Sequence, residues 1–224
     1  MTNVRLAIRG LTKFIFGAVL VGLLLFLPAG SLLYPNAWLF MGLLFIPILI
    51  LGTVLLIKSP ALLEKRLDSK EEDGAQKVFV ALSGLIFIAG FVVAGLDYRL
   101  GWSDVPTWVV VTASCILLLS YALYAEVMRE NTYLSRKIEV SEGQKVVDTG
   151  LYSVVRHPMY AVTVWLFLSI PVVLGSWWSL LCFSPYVIVI AVRIVNEEKL
   201  LVAQLQGYSD YRKRVKYRLI PFVW

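Results

Sequence analysis

Uncharged apolar runs recur along the chain at 14–33, 37–57, 78–96, 107–125, 159–175 and 177–192, with short polar stretches between them. A helix needs about 20 such residues to cross a hydrocarbon core of about 30 Å, so the pattern predicts an all-α, polytopic integral membrane bundle of about six spans. The run 159–175 reaches only about 25 Å as a helix, and almost nothing separates it from the next. The last two runs therefore form a tight helical hairpin. Pro47 is expected to kink the second span, and Pro185 to interrupt the last and free a carbonyl near Leu181. Small residues four apart, Ala18 with Gly22 and Gly90 with Ala94, permit close helix contact.

The polar stretches divide the remainder. Residues 1–13 form a short basic head with Arg5, Arg9 and Lys13, and the apolar run after it is longer than that of a cleaved signal peptide. Residues 58–77 read as a polar loop, with Leu62, Leu63 and Leu67 laid on the membrane interface. The connection between the third and fourth spans carries Asp97, Arg99 and Asp104. Glu126, Arg129 and Glu130 end the fourth span as interface anchors. Residues 131–155 are the longest polar segment, and 138–140 and 145–147 alternate about Gly143, which predicts a small cytoplasmic hairpin. The last helix continues past the membrane to a stop at Gly207. The chain thus divides into a four-span membrane region, 1–130, and a C-terminal region, 131–224.

Composition supports this class and charge orients it. A hydrophobic content of 59% with 16% charged residues excludes an ordinary soluble domain. With the N-terminus in the cytoplasm, Arg99 alone of the 21 lysines and arginines falls on the far side. This asymmetry places both termini and the 149–160 stretch in the cytoplasm and accounts for the net charge of +6 without nucleic acid. Cys115 and Cys182 lie in apolar runs as small hydrophobic residues. One histidine makes no metal cluster, so no metal is expected.

Two clusters carry chemistry. Residues 149–160 bring the single histidine, His157, together with Tyr152, Arg156, Pro158 and Tyr160 at the entrance to an apolar run. Pro158 suits the first turn of a helix, which sets Arg156 and His157 beside its free amides. The second cluster is Arg193, Glu197 and Glu198 at the mouth of the last helix. Arg193 and Glu197 share a face, whereas Glu198 turns away by about 100°. Alone, Arg193 and Glu197 read as an interfacial salt bridge. The hairpin, however, returns them to the side of His157 and Tyr160.

Gly150-x-Tyr152, then Arg156-His157-Pro158-x-Tyr160, Arg193-x-x-x-Glu197-Glu198-x-x-Leu201, Gly207-Tyr208-x-x-Tyr211 and Arg218-Leu-Ile-Pro221 together resemble the isoprenylcysteine carboxyl methyltransferase family, which is related to membrane phospholipid methyltransferases. The resemblance covers about 131–224; the first four spans share only their apolar character. It implies an enzyme that transfers a methyl group from S-adenosyl-L-methionine to a lipophilic or lipid-modified acceptor, a carboxylate before a phospholipid amine or small thiol. It implies that Gln144, Lys145, Val146, Val147, Tyr152, His157, Pro158, Met159, Tyr160 and Glu197 hold the cofactor. Arg193 would hold the substrate, and Arg193 and Glu197 would be catalytic. The position of Gln144 is often histidine in that family. Other classes consistent with such a chain are a nicotinamide-dependent membrane reductase and a non-enzymatic membrane scaffold.

Overall fold

The computed structural model describes residues 3–67, 74–131, 133, 140 and 143–224. Among them, α1 (Asn3–Ala29), α2 (Pro35–Lys58), α3 (Pro60–Leu67), α4 (Gly74–Leu100), α5 (Thr107–Glu130), α6 (Pro158–Val173), α7 (Trp177–Phe183), α8 (Pro185–Gln204) and α9 (Tyr208–Arg214) are α-helical, and a 3-10 turn covers Gly150–Ser153. The described residues contain no strand. Among the described residues five helices are long and apolar enough to cross a membrane, α7 and α8 counting as one, and α6 is a shorter apolar helix. Large apolar side chains stand exposed along them, such as Phe16 at 68% and Trp108 at 72%. Exposure on that scale belongs to a lipid-facing surface, and the chain is a polytopic helical integral membrane protein.

The chain forms two compact units, one of Met1–Cys115 with Ser169–Phe183, the other of Ile116–Leu168 with Ser184–Trp224. In the first, α1 and α4 pack closely because Gly95 has no side chain: a Cβ there would come within 2.5 Å of the Leu25 carbonyl oxygen. Gly90 likewise admits the ring of Phe183, which would lie 2.2 Å from an added Cβ. The expected close approach at Gly90 and Ala94 is therefore present. That at Gly22 is not, since its nearest neighbour would be an ordinary 3.9 Å away. Gly95, not Gly22, is the small residue that α1 uses.

The third span was expected to end before Asp97, but α4 runs on to Leu100. Asp97 is buried and its carboxylate accepts hydrogen bonds from Ser103 N, Ser103 Oγ and Ser176 Oγ. Satisfied on both oxygens, the group has no need to reach water. Tyr34 stacks on Tyr98 at 4.2 Å and donates to the Leu174 carbonyl at 2.5 Å. The stretch read as a polar loop after α2 contains α3 instead, started by Pro60 in its first turn. Leu63 on it is buried, and Arg9 and Lys13 of α1 both donate to the Leu67 carbonyl.

In the second unit, α6 and α8 meet through side chains at two levels. Phe167 meets Tyr186 edge-on at 4.7 Å, and Tyr160 is linked to Arg193 and Glu197. α8 begins at Pro185, after the break that this proline imposes on the last run. α8 ends at Gln204, and Gly207, in the left-handed conformation at φ 86°, reverses the chain into α9. The predicted small hairpin falls partly on 138–139 and 141–142, outside the described residues. Its other arm, 145–147, is described and is not a strand.

Candidate functional site

The entrance to α6 is built from the backbone outward. Gly150 takes φ 53°, and a Cβ there would strike the Glu130 carboxylate at 1.5 Å. That carboxylate accepts the Leu151 amide at 3.0 and 3.2 Å, holding the 3-10 turn against the end of α5. Tyr152 is buried by this turn; its hydroxyl accepts from Asn131 at 2.9 Å, and its carbonyl accepts from the Tyr211 hydroxyl at 2.7 Å. Burial pushes the Tyr152 phenol up to about 12, so it remains a neutral hydroxyl through the physiological range.

Arg156 and His157 are pinned before α6 starts. Their amides donate to the Tyr217 and Arg218 carbonyls, both at 2.9 Å. Arg156 Nε reaches Glu198 Oε1 at 2.6 Å, and its Nη1 reaches the carbonyls of Val215 and Lys216 at 2.7 Å each. The second Glu198 oxygen accepts from Arg218 Nε at 2.7 Å. Glu198 and Arg156 are both buried, so the pair is held in a low dielectric and owes its stability to these further hydrogen bonds. Glu198, which turns off the Arg193–Glu197 face, is thus the centre of this network. The residue spacing did not mark it, because its partners lie 20 and 42 residues away in the chain.

One turn along, the Tyr160 hydroxyl donates to Glu197 Oε2 at 2.5 Å and accepts from Arg193 Nε at 2.8 Å. Arg193 also stands 5.9 Å from the Tyr160 ring centre. Tyr160 is buried, so the phenol bridges the cation and the carboxylate through fixed geometry. His157 Nδ1 lies 3.9 Å from Glu197 Oε1, and its Nε2 lies 3.4 Å from Glu198 Oε1 without hydrogen-bonding geometry.

Beside this chain of groups opens a cavity of about 800 Å³, including its mouth. Nine of the ten residues expected to hold a cofactor line it: Gln144, Lys145, Val146, Val147, Tyr152, His157, Met159, Tyr160 and Glu197. Pro158 starts α6 and is not part of the lining, and neither is Arg193. The lining also includes residues to which no role in holding the cofactor was assigned, among them Asn131, Tyr133, Leu200, Leu201, Leu205, Tyr208 and Tyr211. Leu201, Leu205, Tyr208 and Tyr211 form one buried apolar cluster with Val215, against which Val146 packs. Leu201, Tyr208 and Tyr211 belong to the motifs quoted above without a role in the cofactor site, and Leu205, on a buried helix face, carries no separate signal. Two buried polar atoms of the lining residues, His157 Nε2 and Tyr208 Oη, have no hydrogen-bond partner in the described structure.

Fold and site together define a membrane-embedded helical protein whose polar cavity opens where its helices leave the apolar region. Residues 107–207 match the model of the phospholipid methyltransferase family. A curated relative, the uncharacterized protein YpbQ of Bacillus subtilis, is 31% identical over 104 residues, 46% of this chain and 60% of that one. The chain thus spans less than two thirds of that relative. The solved structure of the eukaryotic intramembrane Ras methyltransferase, isoprenylcysteine carboxyl methyltransferase, superposes with a TM-score of 0.52 at 21% identity. The match covers 91% of this chain and 74% of that one, which shows a shared fold.

Proposed function

We propose that this protein is an S-adenosyl-L-methionine-dependent methyltransferase of the membrane whose catalytic region is 131–224. Its acceptor is lipophilic, a carboxylate in the first instance. The observation that carries the reading is the convergence of nine residues, which the family resemblance assigns to the cofactor, on one cavity next to the Arg193–Tyr160–Glu197 chain.

The cavity suits such a cofactor by its chemistry. Val146, Leu201, Leu205 and Tyr208 offer an apolar wall for a flat ring, while Gln144, Lys145 and Glu197 offer polar contacts for a sugar and a charged amino-acid end. Tyr208 Oη is a buried atom without a hydrogen-bond partner, and a bound polar group would offset its desolvation. S-adenosyl-L-methionine would supply an activated sulfonium methyl, so the protein has mainly to align the acceptor and exclude water.

The residues divide that task. A carboxylate acceptor is already ionised at neutral pH and needs no base, but it needs a cation to hold it. Arg193, at the end of the uncharged part of α8 and outside the cavity lining, supplies one. Glu197 lines the cavity and faces the cofactor, and Tyr160 fixes the two relative to each other. The distribution of basic residues puts this mouth and both chain ends on the cytoplasmic side.

The test is mass spectrometry of membranes supplied with an isotope-labelled methyl donor, with the chain present and absent. A labelled lipid or lipid-modified peptide found only with the chain supports the proposal and names the acceptor. Identical label patterns would remove it.

A further inference from the structure

The last residues of the chain carry exposed apolar side chains that the catalytic reading does not use. Phe222 is 87% exposed and Val223 74% exposed, next to Pro221 and the partly exposed Ile220. They sit on a closed turn. A main-chain oxygen of Trp224 accepts the amides of Arg218, Leu219 and Ile220, and the amides of Val223 and Trp224 return to the Ile220 carbonyl. Phe222 holds φ 65° there, a conformation rare for an aromatic residue. The turn is fastened on its inner side by buried Leu219, and the Arg218 guanidinium lies 5.1 Å from the Trp224 ring centre while its Nε holds Glu198. It is a fixed hook with an apolar outer face.

The level of this hook relative to lipid follows from what it is paired to. The carbonyls of Tyr217 and Arg218 accept the amides of Arg156 and His157, immediately before Pro158 opens α6. α6 has 16 residues, about 24 Å of helix, against a hydrocarbon core of about 30 Å. So short an apolar helix keeps its first residues at the hydrocarbon boundary, and residues 217–218 stay with them. The approach to the hook is also basic: Arg212, Lys213, Arg214, Lys216 and Arg218 precede it, against Asp210 as the one acid from Tyr208 onward. Basic residues beside exposed aromatic and aliphatic tips are the composition of a segment lying in the interface of an anionic leaflet.

We propose that Ile220–Trp224 is an interfacial hook that inserts Phe222 and Val223 at the headgroup–acyl boundary of the bilayer. Through Arg218 and the 156–157 pairing, it fixes the height of the Glu198 network against the lipid. The segment lies beyond the family-matched 107–207, and the inference does not depend on methyl transfer.

The test uses the full chain with Cys115→Ala and Cys182→Ala, and single cysteines at Phe222→Cys, Val223→Cys and, as a water-exposed control on α9, Ser209→Cys. Each is labelled with a small fluorophore and reconstituted in phosphatidylcholine–phosphatidylglycerol vesicles. Brominated acyl chains should quench the labels at 222 and 223 several-fold more than the label at 209, and aqueous iodide should show the reverse order. Iodide quenching at 222 and 223 equal to that at 209 would overturn the proposal. So would protection from both quenchers, which would mean a protein surface covers the hook. The unfolding midpoint of each labelled protein in SDS titration guards against misfolding. If the midpoints match that of the parent while the labels report water, the hook is folded and simply not in lipid, and the inference fails.

Discussion

Replacing Glu198 by glutamine should destabilise the protein more than any other single loss of charge outside the first unit. The carboxylate is 3% exposed and Arg156 is 6% exposed, so both charges are taken from water. The change removes the negative partner of Arg156 at 2.6 Å and of Arg218 at 2.7 Å, and leaves Arg156 bonded only to the Val215 and Lys216 carbonyls. Breaking a buried pair in this way costs about 3–5 kcal/mol, since the remaining charge is left uncompensated. The amide oxygen still accepts one hydrogen bond, so glutamine should fall near the lower end of that range and alanine near the upper. Arg218 has a side chain 29% exposed and can turn to water, so its lost pair adds little. The assay is reversible unfolding in mixed micelles by SDS titration, followed by circular dichroism. Glu126→Gln, which breaks an exposed pair with Arg129, serves as the control and should leave the midpoint where it is. A Glu198→Gln protein within about 1 kcal/mol of its parent would refute the claim that this network anchors the α6 entrance.

Arg193→Ala should leave S-adenosylhomocysteine affinity near that of the parent while turnover of an anionic acceptor collapses; lysine should rescue only partly, because it lacks the planar fork, and kinetics beside calorimetry would show the split. Glu197→Gln should instead weaken cofactor binding, and recovery of activity in a charge-swapped Arg193→Glu/Glu197→Arg protein would show that the two are a structural pair only. Tyr160→Phe removes the bridge to both groups and should reduce cofactor affinity by about tenfold, the equivalent of about 1.4 kcal/mol, with little change in unfolding midpoint. Gly90→Val forces a side chain into the Phe183 ring and should cost about 1–3 kcal/mol in the same SDS titration.

Much of this was legible in the chain because apolar length and motif spacing are local properties. The runs at 37–57 and 107–125 became α2 and α5 within a few residues at most boundaries, and Pro158 and Pro185 start helices where their missing amides allow it. The motifs brought His157, Tyr160 and Glu197 to one cavity. What was not legible depends on distant partners. The spacing treats Asp97 as the end of a span, because the serines that satisfy it come from two later connections. Glu198 reads as the residue turned away from the site, because the guanidinium groups that claim it belong to the α6 entrance and the C-terminal segment. The roles of Gly95 and Gly150 likewise depend on what approaches them, a helix backbone in one case and a carboxylate in the other.

The central claim is that the cavity beside Tyr160 and Glu197 holds a methyl donor. Isothermal titration of the purified protein in lipid nanodiscs with S-adenosylhomocysteine tests it most directly, with His157→Ala and Tyr160→Ala as paired variants and NADPH as the competing cofactor. One S-adenosylhomocysteine per chain should bind saturably, more weakly in both variants while their unfolding midpoints stay close to the parent, and NADPH should show no saturable binding. Saturable NADPH binding with none for S-adenosylhomocysteine, or S-adenosylhomocysteine affinity unchanged in both variants, would contradict it.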